Sequence, residues 1–406
     1  MNNRVIVVIV VAVLVLAGVG VYVATGHDSG DDKSNTAGTE ITDALGRKVI
    51  VPENLDGGIV TIGSTGPLRF LSLFDVYDNI IEVDKGDVTD NKNGRAYSYA
   101  YRYDAITSYH ADNALDSETV EKIVSKNSSL IVTTVGVWNN FSENFGTLAS
   151  QCTVLVLNNQ DMKAMFKDDG SLADYFADNV NMLGTMLGKE KRAAEVISGI
   201  ESIMGDLKSL STSSKEGVYV AGVTISGSNT LNTTFPVYLP LDLINATNAY
   251  NGDSTANKVV LNVESLATMD INLVVIDPSS SDKLAEADSQ LVMQYLYGIN
   301  NDSNAGNDVK LYVTVPIVWD SINYDCALAS AYYLDYLLYD SLTYDQMVEK
   351  INGIFKVFYG DDGKDVLSDM SKFFVGKSSA NNVELPILSE VKIVYEGGTY
   401  LIKAAS

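Results

Sequence analysis

The chain has 406 residues, with 28 Lys or Arg against 52 Asp or Glu, so its formal net charge is −24 at pH 7. No basic stripe interrupts this acidic balance, which makes nucleic acid a poor candidate partner. The length allows two domains of ordinary size, and only two cysteines exclude a small disulfide-stapled fold. Cys152 and Cys326 lie in apolar contexts and are predicted to be core residues.

The histidine and cysteine content argues against a metal site built by the protein itself. His27 and His110 are the two histidines, and no Cys/His cluster occurs. Zinc and copper sites need such clusters. We therefore predict no resident cofactor, and expect any bound metal to arrive inside a small-molecule chelate.

Residues 5–24 form an unbroken apolar run after Arg4. A membrane-spanning helix takes roughly 20 residues, whereas the apolar core of a cleaved signal peptide is shorter. We predict a retained anchor in residues 1–25, with a cleaved signal as the alternative, and a flexible tether in residues 26–40. Both alternatives place the folded part outside the cytoplasm, and the anchor places it at the cell membrane.

Short β-branched runs then alternate with helical patterns. They lie at 59–62, 80–83, 130–133 and 153–157, and again at 218–221, 273–276 and 310–315. Strand and helix alternating at this spacing indicate parallel sheets with helices on both faces. We predict an α/β fold with two Rossmann-like lobes and an N-terminal transmembrane helix.

The segment between the two series has apolar residues at helical period and no proline. It predicts a single long interdomain helix, and such a strut favours ligand capture with little domain motion. The predicted boundaries are 41–187 for the N-terminal lobe, 188–212 for the interdomain helix, 213–380 for the C-terminal lobe and 381–406 for a C-terminal tail.

Several motifs resemble the class III solute-binding proteins of ABC importers, the group that takes up iron–siderophores, haem and cobalamin. TDALGRKVIVP at 42–52 is similar to the opening strand pair of that family, and PIVWDSINYDCALASAYY at 316–333 resembles a segment of archaeal-type iron importers. The likeness covers roughly residues 41–375. It implies a binding protein that captures an iron–siderophore, cobalamin or related metal chelate between its lobes, and is not an enzyme.

Two further segments resemble the family's docking motif. They are TVEKIVSKNSSLIV at 119–132 and NVESLATMDINLVV at 262–275, one in each lobe. In the family, the glutamate of each motif docks onto arginines of the permease dimer that works with its ATPase. The resemblance therefore implies that Glu121 and Glu264 dock on the permease, although each could also be an ordinary solvated helix residue.

Candidate ligand contacts follow from residue chemistry. Tyr97, Tyr99, Tyr101 and Tyr103 alternate around Arg102, so in an extended segment the rings would share one face and suit a bulky anionic chelate. A tyrosine-rich strand packed on its own lobe is the alternative. The other candidates lie at strand-to-helix turns or face the same cleft: Ser64, Thr65, Arg69, Ser226, Trp319 and Tyr324.

Two other functions remain open from the residues alone. A two-lobed cleft can house an enzyme, but no nucleophile elbow, phosphate-binding loop or Ser/His/Asp set is present in the sequence. A surface interaction or adhesion protein would also be compatible with an anchor and an acidic surface. That alternative predicts binding to a macromolecule and no stabilisation by small molecules.

Overall fold

A computed structural model of the chain describes most of the sequence from Gly38 to Ala405. The described residues are 38–64, 66–88, 94–112, 114–158, 165–167, 171–210, 216–224, 227–253, 255–256, 258–301, 309–319, 321–380 and 385–405. Within these ranges no helix has both the length and the apolar character needed to cross a membrane. The predicted anchor at 5–24 and the tether up to residue 37 lie outside them.

The described residues form thirteen α-helices and seventeen strands. The helices are α1 Gly66–Leu71, α2 Tyr97–Ala100, α3 Ser117–Ser125, α4 Val135–Asn140, α5 Ser142–Ala149, α6 Asp174–Met186, α7 Glu190–Leu210, α8 Leu239–Leu243, α9 Val263–Ala267, α10 Ala287–Asn301, α11 Tyr324–Tyr339, α12 Tyr344–Tyr359 and α13 Val366–Ala380. The strands are β1 Gly38–Thr42, β2 Lys48–Pro52, β3 Ile59–Thr61, β4 Ile80–Asp84, β5 Tyr109–His110, β6 Leu130–Thr134, β7 Val154–Leu157, β8 Gly217–Ala221, β9 Thr233–Thr234, β10 Thr247–Asn248, β11 Val259–Val260, β12 Leu273–Ile276, β13 Lys310–Val313, β14 Val318–Trp319, β15 Ser321–Ile322, β16 Ser389–Glu396 and β17 Thr399–Ala404.

The N-terminal sheet has the order β5-β4-β3-β6-β7, and all its neighbouring strands are parallel. Its buried strands send alternate side chains to opposite faces. Val60 and Ile131 pack with α3 and α5 in one apolar cluster, whereas Ile59 and Leu130 belong to the larger core on the other face. Both faces are therefore covered by helices, as the alternating sequence pattern predicted.

The C-terminal sheet has the order β10-β8-β12-β13-β16-β17. Its first four strands are parallel, and β16 and β17 extend it as an antiparallel hairpin. The predicted tail at 381–406 thus contributes two strands to the sheet. Gly397 and Gly398 adopt φ of 61° and 88°, the backbone that a tight hairpin turn requires.

The folded part also begins slightly earlier than predicted. Strand β1 starts at Gly38 and pairs antiparallel with β2, so residues 38–40 belong to a ribbon and not to the tether. Asp43 accepts hydrogen bonds from the backbone of Leu45 and Arg47 and closes the turn between the two strands.

Helix α7 is the segment that leads from the first sheet to the second. Its Arg192 donates through Nε to Leu73 O at 2.8 Å and through Nη2 to Val357 O and Phe358 O, both at 2.8 Å. The last two acceptors are carbonyls at the end of α12, which have no partners within their own helix. One guanidinium therefore connects residues following α1 with a helix of the C-terminal half.

Candidate functional site

A narrow cavity lies between residues of the two halves. Arg69 and Phe176 line it from the N-terminal half, and Tyr324, Asp325 and Tyr359 line it from the C-terminal half. Its free volume of about 10 Å³ is enough for about one water molecule. At this cavity, among the residues that the structure describes, side chains from the two halves leave almost no free space.

Arg69 is placed in this cavity by the turn between β3 and α1. Gly63 adopts φ of 117° there, and a side chain at that position would meet Val137 Cγ2 at 2.9 Å. Gly63 N donates to Asp84 Oδ2 at 2.8 Å, and Pro67 occupies an early helical position where its missing N–H costs nothing. The turn thus directs α1 and its single arginine toward the other half.

The guanidinium of Arg69 makes hydrogen bonds through only one of its three nitrogens within the described residues. Nη1 donates to Ile322 O at a long 3.4 Å. Nε and Nη2 are buried and have no hydrogen-bond partner among the residues that the structure describes. Buried donors without partners are rare and costly in folded proteins. The arrangement leaves two cationic donors ready for an anionic oxygen.

Asp325 is the acidic group on the opposite wall. Tyr359 donates its hydroxyl to Asp325 Oδ2, and Cys326 N donates to Oδ1 at 2.8 Å. Burial raises the pKa of Asp325, while the hydrogen bond from Tyr359 and the charge of Arg69 act in the opposite direction. The carboxyl makes no ion pair with Arg69 within 4.0 Å, and the two charges interact at longer range.

Tyr324 is the predicted ligand residue that the structure brings nearest to Arg69. Its side chain is buried, and its hydroxyl lies 3.4 Å from that of Tyr175. Burial raises the pKa of Tyr324 well above the usual range, against the opposing charge of Arg69. The phenol therefore stays neutral and can donate or accept a hydrogen bond in the cavity.

The tyrosine segment differs from the extended strand that the alternation predicted. Tyr97 begins the short helix α2, and Tyr103 begins a 3₁₀ turn. Tyr97, Tyr101 and Tyr103 are buried. Tyr103 packs edge-to-face with Tyr97 and Tyr77, and Tyr101 is tilted against Tyr103 and stacked on Tyr77. These three rings are therefore packed in the core, which is the alternative that the sequence left open.

Two rings of this segment contact the C-terminal half. Tyr101 meets Tyr359 edge-on, with centroids 6.2 Å apart, and Tyr99 meets Phe373 edge-on at 5.9 Å. The side chain of Arg102 is exposed. The segment therefore forms part of the contact between the halves, directly beside the cavity.

Ser64 lies at the carboxyl edge of the N-terminal sheet. A methyl group added at Gly86 would lie 3.2 Å from Ser64 Oγ and 3.0 Å from Asp112 Oδ1, so these two side chains are close. Arg95, which is fully buried, donates to Gly86 O and lies 3.7 Å from Asp87. This edge is where open α/β sheets place their ligands.

The remaining candidates are only partly placed. Thr65 and Ser226 lie outside the described residues. Trp319 lies in β14, but its side chain is among the parts that the structure leaves undescribed. Of the predicted ligand residues, the structure therefore brings Arg69 and Tyr324 together, with Tyr97 close enough for the charge of Arg69 to act on its hydroxyl.

A buried charged cluster lies at the edge of the same sheet. His110 Nδ1 is 3.2 Å from Glu82 Oε1, and its Nε2 is 3.6 Å from Asp84 Oδ2. Lys126 Nζ lies 2.8 Å from Glu82 Oε2, and Ser108 donates to the same oxygen. Burial alone would raise the pKa of Glu82, but these hydrogen bonds lower it from 4.5 to about 2. The described residues contain no group of three or more His, Cys, Asp or Glu side chains that could hold a metal ion.

The two docking candidates occupy similar places in their lobes. Glu121 lies on α3 and Glu264 on α9, both are exposed, and each precedes the first residue of the following strand by nine positions, at Leu130 and Leu273. The helices differ at their start. Asp116 caps α3 and Asn262 caps α9. Counted from these caps, Glu118 and Glu264 are each the second residue after the cap. The first lobe thus exposes two glutamates on one helix, Glu118 and Glu121.

Solved structures similar to this chain are solute-binding proteins. A periplasmic solute binding protein from Veillonella parvula matches 84% of this chain and 99% of its own, with 13% identity and a TM-score of 0.54. An ABC transporter solute binding protein from Sulfurospirillum deleyianum covers 79% and 95%, with 13% identity and a TM-score of 0.51. MolA, a molybdate periplasmic binding protein of a Haemophilus influenzae ABC transporter, covers 79% and 98%, with 15% identity and a TM-score of 0.52.

No protein-family model and no curated protein sequence matches the chain. Identities of 13 to 15% establish a similarity of fold alone. The chain therefore shares the mixed α/β fold of periplasmic solute-binding proteins of ABC transporters.

Proposed function

We propose that the protein is the extracytoplasmic substrate-binding subunit of an ABC importer for a metal chelate that carries a negatively charged oxygen, such as an iron–siderophore, a cobalamin or a related complex. The observation that carries the proposal is Arg69, which lines the cavity between the halves and has two buried guanidinium nitrogens without hydrogen-bond partners among the described residues. An unpaired cation in an apolar surrounding is unfavourable until an anion neutralises it. A ligand with a negatively charged oxygen supplies that partner.

The aromatic residues around the cavity fit the same class of ligand. Phe176, Tyr324 and Tyr359 present ring surfaces next to the arginine. Flat conjugated chelates bind such surfaces through apolar burial, and the phenols add hydrogen bonds. Metal recognition then resides in the chelator, since the cavity offers no cluster of metal ligands within the described residues.

Binding a chelate at the Arg69 cavity would require the halves to separate there. The cavity holds about one water molecule, whereas ligand pockets for small molecules have volumes of about 300–1,000 Å³. The contacts that would open include the ring contacts and three long hydrogen bonds, from Arg69 to Ile322 O, between the hydroxyls of Tyr175 and Tyr324, and from Cys326 Sγ to Gly94 O. A hinge or shear motion at this cavity would provide that space, and the capture with little domain motion that a single connecting helix favours stays a prediction.

Delivery completes the proposed role. Glu121 and Glu264 would dock on a permease dimer coupled to its ATPase, because exposed carboxylates pair bidentately with arginines and thereby fix orientation. The apolar segment at 5–24 would keep the protein at the outer face of the membrane. In this proposal the charged and polar side chains of the protein bind and orient the cargo, and they carry out no catalytic step.

The proposal is tested by identifying the ligand that accompanies the protein. The protein is purified without denaturant from its producing cell, and native mass spectrometry measures the mass of any small molecule bound to it. An anionic metal complex released on unfolding is the expected result. A protein that repeatedly purifies without ligand, and gains no mass with ferric catecholate, ferric hydroxamate, haem or cyanocobalamin, would overturn the proposal.

A further inference from the structure

Four Asn-x-Ser/Thr tripeptides lie wholly within the described residues, beginning at Asn127, Asn140, Asn232 and Asn245. This tripeptide is the acceptor signal for N-linked glycosylation of proteins outside the cytoplasm. A fifth begins at Asn301, but its third residue lies outside the described residues. Because the tripeptide also arises by chance, the burial and the hydrogen bonds of each asparagine decide whether its amide can carry a glycan.

Three of these asparagines are exposed, and their side-chain amides make no hydrogen bond with the residues that the structure describes. Asn127 and Asn245 each lie two positions beyond the last residue of a helix, α3 and α8, and Asn140 ends α4. In N-linked glycosylation the sugar is attached to the amide nitrogen, Nδ2. At these three positions the attachment therefore breaks no side-chain contact within the described part of the fold.

Asn232 has the same tripeptide chemistry in a buried place. It is only 7% exposed, its Nδ2 donates to Leu261 O at 2.9 Å, and its Oδ1 accepts from Thr230 Oγ1 at 2.7 Å. A bulky polar glycan on this nitrogen would have to displace buried neighbours, and a chain modified there would not reach this fold. Asn232 is therefore an internal comparison for the exposed sites.

Two of the exposed sites lie at the ends of the sheets opposite the candidate ligand site. Asn127 precedes the start of β6 by three positions. Asn245 comes two residues before Thr247, the first residue of β10, which pairs with Gly217 at the start of β8. Arg69, in contrast, follows the carboxyl end of β3, where open α/β sheets place their ligands. Glycans at the amino ends of the strands would therefore leave the cavity between the halves accessible.

The backbone offers a different reason for asparagine at two of the positions. Asn127 and Asn245 adopt φ of 52° and 54°, a conformation that asparagine tolerates better than most residues other than glycine. Such a turn explains the asparagine, but it does not require the hydroxyl of Thr247. Glycine separates the two explanations, because it keeps the turn and removes the acceptor amide.

We propose that Asn127, Asn140 and Asn245 each carry an N-linked oligosaccharide and that Asn232 carries none. The proposal rests on the proposed function, because it needs the folded part to lie outside the cytoplasm. Nδ2 attacks the anomeric carbon of an oligosaccharide held on a lipid phosphate, a C–N bond forms, and the C–O bond to the phosphate breaks. The phosphate leaves with the electron pair, and the amide nitrogen gives one proton to solvent. The membrane of the producing cell supplies the lipid-linked donor and the transferase.

The first experiment maps the modified peptides of the full chain purified from its producing cell. Tandem mass spectrometry after proteolysis should find an added sugar mass on Asn127, Asn140 and Asn245, and an unmodified Asn232. In parallel, intact cells are treated with a membrane-impermeant amine reagent. This reagent should label Lys191, whose side chain is 92% exposed on α7.

The two measurements separate a failure of this proposal from a failure of the proposed function. If Lys191 is labelled and any of the three exposed asparagines is found only unmodified, the glycosylation proposal is wrong and the proposed function stands. A sugar on Asn232 of the folded protein overturns the proposal as well. If Lys191 is labelled in lysates and not in intact cells, the folded part lies inside the cell and both fail.

The second experiment compares variants at one site. Asn245→Gly and Thr247→Ala should each increase electrophoretic mobility by the same step, because each removes one glycan. Thr247→Ser keeps the acceptor tripeptide and should migrate with the native chain. Equal mobility of Thr247→Ala and Thr247→Ser would contradict a glycan at Asn245, and urea unfolding curves verify that all three variants are folded.

Discussion

Replacing Arg69 by methionine should stabilise the unliganded protein. Methionine keeps much of the apolar stem and removes a guanidinium whose Nε and Nη2 are buried without partners. An unsatisfied buried polar group costs about 1–3 kcal/mol, and this gain outweighs the loss of the weak contact to Ile322 O at 3.4 Å and of the charge interaction with Asp325, which has no ion-pair contact with Arg69 within 4.0 Å. We therefore expect the free energy of unfolding to increase by about 1–3 kcal/mol.

The same substitution should weaken ligand binding. A hydrogen bond to a charged group contributes about 1.5–3 kcal/mol, so the affinity for an anionic chelate should fall by about 10- to 100-fold. The assay combines urea unfolding without ligand and isothermal titration with a ferric catecholate complex. An increase in stability together with a loss of affinity distinguishes a ligand-binding arginine from a structural one.

Arg47 provides the matched control. Its Nη2 lies 2.6 Å from Asp43 Oδ2 and donates to Val154 O at 3.0 Å, and its guanidinium stacks 4.2 Å from the ring of Trp138. Arg47→Met should lower stability by about 1–2 kcal/mol and leave the affinity unchanged. The reasoning is refuted if Arg69→Met destabilises the protein as Arg47→Met does and leaves chelate affinity intact.

Three further outcomes are expected. Glu82→Gln should lower the free energy of unfolding by about 3 kcal/mol at pH 7, because the pKa of Glu82 in the folded protein is depressed to about 2. The difference in stability between the native chain and this variant should therefore shrink as the pH falls from about 4.5 toward 2. Urea unfolding across that pH range measures it. Glu121→Arg combined with Glu264→Arg should reduce chelate uptake by cells at least tenfold without changing chelate affinity in titration, whereas Glu349→Arg on exposed α12 should leave both unchanged. Gly398→Ala, at φ of 88°, should lower the melting temperature by an amount corresponding to about 1–2 kcal/mol, and an unchanged value would contradict the hairpin turn.

The buried strands were the most predictable part of the fold. The runs at 59–62, 130–133 and 153–157 correspond to β3, β6 and β7 of the N-terminal sheet, because fully buried parallel strands consist almost entirely of apolar and β-branched residues. Helix α7 was predictable for a related reason, since its buried residues recur at helical spacing along Glu190–Leu210. In these elements, burial by itself determines the residue pattern.

The sequence was misleading where packing between distant segments decides the structure. Alternation from Tyr97 to Tyr103 predicted a strand, but Tyr97 lies in a short helix and Tyr101, which follows it, packs against the rings of Tyr77 and Tyr359. The C-terminal hairpin was missed although Gly397 and Gly398 supply a strong turn signal, because its strands are only partly buried and lack a continuous apolar run.

The candidate site was only partly visible in the sequence. Arg69 follows a strand-to-helix turn, and that local signal found it. Asp325 adjoins the predicted Tyr324, yet its relation to Tyr359 depends on how α11 packs on α12. The separation between Tyr324 and Tyr359 in the chain gives no hint that they line one cavity.

The most direct test of the central claim is equilibrium unfolding of the protein with and without an anionic ferric chelate. A specific ligand at 100 times its dissociation constant should raise the free energy of unfolding by about 2.7 kcal/mol. The account predicts this gain for a ferric catecholate complex with the native chain, and at the same chelate concentration a much smaller gain for the Arg69→Met variant. Equal gains for the two proteins, or equal gains from anionic and cationic complexes, would contradict the claim that Arg69 recognises the cargo.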